Sequence, residues 1–193
     1  MAAKSDVTVR VRLRQAALDL FREHGYDRTT AAEIAARVGV TERTFFRHFP
    51  DKREVLFDGE ALLRDALTGF IADAPPEDGP LAALFRAFRS VVPVLEANRT
   101  FSKPWHEIVS ATPALREREL AKRDVLAEAL ASALEARGVD EERARLSAGV
   151  GMAVFVHATL SWLHDPSPGL ADRLDRACQE VTALSRGGRS SDG

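Results

Sequence analysis

Over residues 7–53 the apolar positions recur at helical spacing, in three runs punctuated by glycine. Val9, Leu13, Ala17, Leu20 and Phe21 line one face of a first helix over 7–24, and Gly25 ends it. Ile34, Ala35 and Val38 form the apolar face of a second, with Thr30 as its N-cap and Gly39 supplying the positive φ of a sharp exit. Thr41 caps a third helix, Glu42–His48, which buries Phe45 and ends against Phe49. Two helices of barely two turns are not stable alone, so both must lie on the apolar face of the first. Two short helices meeting across a glycine-centred turn are the pattern of a helix-turn-helix.

Residues 1–6 read as frayed. After Pro50 and Asp51 a longer helix is expected, continuous with the short pair, carrying Val55, Leu56, Leu62, Leu63, Ala66, Leu67 and Phe70 up to the loop APPEDGP at 74–80. Five further helices follow, near 80–97, 101–111, 113–137, 140–163 and 168–186, with proline or glycine at most joins. Strand-like alternation is almost absent, so the chain is all-α, with about nine helices. The expected organisation is a three-helix domain at 1–53, a helical bundle at 54–187 and a tail at 188–193 whose composition is that of disorder.

Composition narrows this further. The formal charge of −2 hides an asymmetry: residues 1–55 hold eleven Lys and Arg against eight Asp and Glu, and the remainder holds 16 against 21. The basic excess lies where a nucleic-acid partner would need it. Cys178 is the single cysteine, which excludes an intrachain disulfide and any multi-cysteine metal site and suits a reducing cytoplasm. The N-terminus lacks the apolar core of a secretory signal. The apolar run 147–163 is short for a membrane span and contains Ser147, His157, Thr159 and Ser161, so it reads as a buried helix.

The third helix carries the candidate chemistry. A helix presented this way enters a major groove with its first residues toward base edges, while the helix before it crosses the phosphates. Glu42, Arg43, Thr44, Arg47 and His48 are hydrogen-bonding types suited to such a surface, with Lys52 and Arg53 where a phosphate would lie. Arg43 suits bidentate pairing with guanine, worth about 1–3 kcal/mol of discrimination, and Glu42 suits a cytosine amine. A solvated polar face would have a similar composition, but two caps, a glycine and a basic pair within one segment favour DNA.

The run IAARVGVTERTFFRHFPDKREVL resembles the DNA-binding region of the TetR family of transcriptional regulators: Ile-Ala, Gly-Val, a capping Thr, Thr, an aromatic, His-Phe and Lys recur in order. The resemblance covers about the first quarter of the chain. It implies phosphate or base contacts from Thr30, Thr41, Arg43, Thr44, Phe46, His48 and Lys52, and a C-terminal bundle that holds a small-molecule effector. Where this chain has Phe46 the family most often has Tyr, so one phenolic hydroxyl toward a phosphate is missing.

In the second half, Phe85, Phe88, Phe101, Trp105, His106, Met152, Phe155 and His157 are candidate pocket residues, although each aromatic is individually more often core. Trp105 and His106, just after Pro104, are preferred. Arg86, Arg89 and Arg99 suit either an anionic effector or an outer coat. His157 and His164 share a helical face, but without cysteine or clustered carboxylates no metal site is expected. Gly149, Gly151 and Ala153, together with Leu170, Leu174, Ala177, Val181 and Leu184, are candidate dimer surfaces on the last two helices. The expected function is a dimeric repressor on a near-palindromic double-stranded DNA operator, released by an effector, without cofactor, catalysis or membrane. An architectural DNA binder is the alternative, and a small-molecule enzyme is further off, because no nucleophile, base and orienting group form a set.

Overall fold

The computed structural model describes residues 2–187, with side chains over 7–184; the tail expected at 188–193 lies outside the described residues. Among them the chain forms nine α-helices and no strand. These are α1 Ala2–His24, α2 Ala31–Arg37, α3 Glu42–His48, α4 Glu60–Ala72, α5 Pro80–Ala97, α6 Arg99–Ala111, α7 Pro113–Ala136, α8 Glu141–His164 and α9 Leu170–Gly187. Helix α1 starts at Ala2, ahead of the start expected at residue 7.

The helix expected to run unbroken after Asp51 is interrupted. A short 3-10 turn occupies Glu54–Leu56, Gly59 takes φ +98°, and α4 starts only at Glu60. A left-handed residue cannot continue a right-handed helix, and glycine adopts that conformation without a Cβ clash. Apolar spacing alone could not show this, because Val55, Leu56 and Phe57 bury equally well from a 3-10 turn.

Two compact units result. The first takes residues 1–61 and 100–119. Its core joins Leu13, Ala17 and Phe21 of α1 to Ile34, Phe45, Phe49, Val55 and Leu56, with Val109 of α6 and Leu115 of α7. The second takes residues 62–99 and 120–193. In it α5, α8 and α9 pack closely, and Leu67 and Ile71 of α4 and Leu130 and Leu134 of α7 complete the core. Phe88 stacks on Phe155 with centroids 4.6 Å apart. Gly151 permits this approach: a Cβ there would stand 3.1 Å from Leu84 Cδ1 and 3.3 Å from Phe88 Cε2.

Helix ends in the second unit are closed by side chains. The Arg137 guanidinium donates to the carbonyls of Ile71 (3.0 Å), Ala74 (2.6 Å) and Pro75 (2.7 Å), satisfying the otherwise open end of α4. The Glu96 carboxylate accepts the Leu170 N–H at 3.0 Å and so caps α9. Helix α8 is long and apolar enough to cross a membrane by length and composition. Its buried residues, from Ala144 to Leu163, face the core of this unit.

Candidate nucleic-acid interface

The short helices are held by the caps read from the sequence. Thr30 and Glu33 form a capping box: Thr30 Oγ1 accepts the Glu33 N–H at 3.2 Å, and the Glu33 carboxylate accepts the Thr30 N–H at 2.7 Å. The Thr30 backbone and hydroxyl bonds hold the Glu33 carboxyl below its ordinary pKa. Gly39 turns the chain at φ +76°, and the Arg12 guanidinium donates to the Val38 carbonyl at 2.7 Å. Thr41 then caps α3, its Oγ1 accepting the Thr44 N–H at 3.2 Å.

Phe45 is fully buried and anchors α3, with its ring edge-on to Phe46 at 5.4 Å. Thr41, Glu42, Arg43, Phe46 and Arg47 are exposed, Phe46 at 50%. Such a surface has donors, an acceptor and a flat apolar ring, as base edges and a thymine methyl require. Thr44 is half-buried. His48, expected on the polar face, is buried beside Phe49, because it falls on the same side of the helix as Phe45.

Lys52 is engaged within the unit. Its Nζ donates to the carbonyls of Tyr26 (2.8 Å) and Thr29 (2.9 Å) and stands 4.2 Å from the Tyr26 ring centroid. Burial pushes the Tyr26 phenol up to about 12. Arg53 pairs with Asp51 at 2.8 Å. Burial alone would raise the Asp51 pKa, but hydrogen bonds from the Arg53 side chain and the Glu54 and Arg53 amides bring it below its ordinary value.

Behind α3, contacts form between residues that the sequence did not connect. Asp58 accepts two bonds from Arg10, at 2.9 and 2.7 Å, and Arg118 Nε donates to Glu54 at 2.8 Å. Trp105 Nε1 donates to the Leu56 carbonyl at 2.7 Å, and its ring meets Phe57 edge-on at 5.9 Å. Phe101 lies under the Arg14 guanidinium at 4.7 Å. Phe101 and Trp105, read as pocket candidates of the bundle, therefore pack in the first unit, which also contains the half-buried His106. The only sequence signal for this was the aromatic density of α6, which names no partner.

The other candidates divide by burial. Phe88, Met152 and Phe155 meet in the second core with Phe85 packed against it, whereas His157 is exposed. Of the candidate dimer residues, Gly151, Leu170 and Leu174 are buried in their own unit's core. Gly149, Ala153 and Leu184 are exposed, and Ala177 and Val181 are half-buried. Leu146, at 68% exposure, extends the outward row through Gly149 and Ala153 and was not singled out.

Residues 13–58 match the family model described as bacterial regulatory proteins, tetR family. The chain is 40% identical over 83 residues to the HTH-type transcriptional regulator TcmR of Streptomyces glaucescens, covering 43% of this chain and 37% of that protein's length. Among solved structures, the TetR-family repressor FadR of Thermus thermophilus, in complex with lauroyl-CoA, is 27% identical, with 88% of this chain and 91% of that one covered at a TM-score of 0.54. NalD of Pseudomonas aeruginosa, the secondary repressor of the MexAB-OprM multidrug efflux pump, covers 93% of this chain and 96% of its own at a TM-score of 0.65. At 18% identity, that TM-score shows a shared fold alone.

Proposed function

With residues 13–58 matching the model of the tetR family of bacterial regulatory proteins, we propose that this chain is a cytoplasmic, dimeric repressor that reads a near-palindromic DNA operator and is released by a small-molecule effector. The observation that carries the reading is the outer edge of α3. Glu42, Arg43, Phe46 and Arg47 stand exposed on a helix whose other side is anchored by Phe45 and whose start is capped by Thr41. A capped helix start presents its side chains without a backbone-ordering cost on binding, which favours sequence discrimination.

Two-fold symmetry follows from the operator geometry. Half-sites one helical turn apart require two recognition helices about 34–36 Å apart, which one copy of α3 cannot supply. The outward row Leu146, Gly149 and Ala153 on α8, with Leu184 on α9, is the surface we assign to the partner copy, because apolar and small residues there lie uncovered in the single chain.

For release, the lauroyl-CoA complex of FadR supports a small molecule as effector. We place the coupling in residues 51–73 together with α6, whose Trp105 holds the Leu56 carbonyl of the turn that follows α3. An effector acts only through its different affinity for the two arrangements. Selection of bound DNA from a random library tests the reading: a palindromic motif is the expected result. Equal binding to selected and random DNA, with steep salt dependence, would instead identify an architectural binder.

A further inference from the structure

Arg86, Arg89 and Arg99 are equivalent candidates in the sequence, and the structure separates them. Arg86 Nε donates to Asp78 at 2.9 Å, and Arg89 pairs with Asp175. Arg99 has no carboxylate partner among the described residues. Its Nη2 donates to the Leu163 carbonyl at 3.1 Å, its guanidinium stands 5.6 Å from the Trp162 ring centroid, and its Nε–H is buried without a partner. Thr159 lies one turn before Leu163 on α8, and its hydroxyl is also buried and unpartnered. Helical threonines ordinarily bond back to a carbonyl four residues earlier, as Thr68 does to Arg64 at 3.0 Å and Thr182 to Cys178 at 2.9 Å. The Thr159 hydroxyl does not.

A half-buried cation without a counter-ion and two desolvated donors, one on α6, whose Arg99 reaches the Leu163 carbonyl, and the other on α8 one turn before Leu163, are each unfavourable until an acceptor arrives. The geometry points to a site for the carboxylate of an otherwise apolar small molecule, one oxygen accepting from Arg99 Nε and the other from the Thr159 hydroxyl. A neutral acceptor or a water satisfies the donors but leaves the charge uncompensated; a carboxylate does both. The flanking Trp162 and Leu163 are buried and apolar, which selects an aryl or alkyl body over a polar one. This rests on the reading that the second unit holds the effector, and it adds the effector's chemical class.

Calorimetric titration of the full chain with 2-naphthoate and dodecanoate, each against its uncharged amide, tests the site. At least one acid should bind about tenfold or more tighter than its amide, and Arg99→Met should abolish that preference. Arg99→Lys, which keeps charge without the fork, should fall between, and Thr159→Val should lose part of it. Circular dichroism reports whether each variant is folded; if Arg99→Met is not, the other two carry the test. Equal binding of acid and amide, acid preference unchanged in the folded variants, or no binding by either acid overturns the proposal. Operator binding is measured separately on ligand-free protein: its failure removes the regulator reading and leaves a calorimetric acid preference standing.

Discussion

Lys52 and Arg43 are both basic residues of the helix-turn-helix region, yet their surroundings assign them different work. Lys52 commits its charge to the Tyr26 and Thr29 carbonyls in the connection between α1 and α2, whereas Arg43 is exposed at the start of α3. Lys52→Ala should therefore lower the stability of the first unit by about 1.5–3 kcal/mol, the range for hydrogen bonds to a charged group, while the salt slope of DNA binding stays nearly unchanged. Arg43→Ala should leave the melting temperature in place and relax preference at one base pair, at about 1–3 kcal/mol. Denaturation curves and operator titrations over a salt series separate the two. Glu33 sets a pH dependence of definite sign. Its folded pKa lies below its unfolded value, so the capping box stabilises fully above the ordinary carboxylate range and fades as pH falls through the lowered folded value. Glu33→Gln should flatten that acid limb, as read by melting temperature between neutral and acid pH.

At the scale of elements, α6 acts as a brace for the turn that follows α3. Trp105→Phe keeps the ring against Phe57 but removes the indole N–H from the Leu56 carbonyl, for an expected loss of about 1 kcal/mol. If the turn's position bears on α3, operator affinity falls together with stability, and hydrogen exchange at residues 54–57 rises. Unchanged exchange there would assign the tryptophan to packing alone. Helices α8 and α9 show why burial has to be seen element by element. Leu170 and Leu174 complete the second core, whereas Leu184 on the same helix is 78% exposed. Apolar periodicity along α9 is continuous, and the neighbouring helices decide which part of it is covered.

For the molecule as a whole, the proposed dimer is the decisive quantity. Ala153→Glu places a charge on the outward row of α8 without entering the core, so the subunit should fold normally while sedimentation shifts toward monomer and operator binding drops steeply. A dimeric Ala153→Glu variant with unchanged operator affinity would move the interface elsewhere.

The local layout was legible from the amino acids alone. Thr30, Gly39 and Thr41 act within a few residues of themselves, so capping and positive φ could be read in place, and α3 begins and ends where its cap and apolar anchor put it. The all-α class and the helices after residue 80 followed from the same local rules. What required tertiary structure were the partners at long separation. The Lys52 ammonium could equally meet a phosphate or a carbonyl 26 residues away, Trp105 could face either core, and Arg99, unlike Arg86 and Arg89, has no carboxylate partner among the described residues. Spacing records which side of a helix is apolar, but only the assembled chain determines which neighbour covers it and which charge is left to be answered.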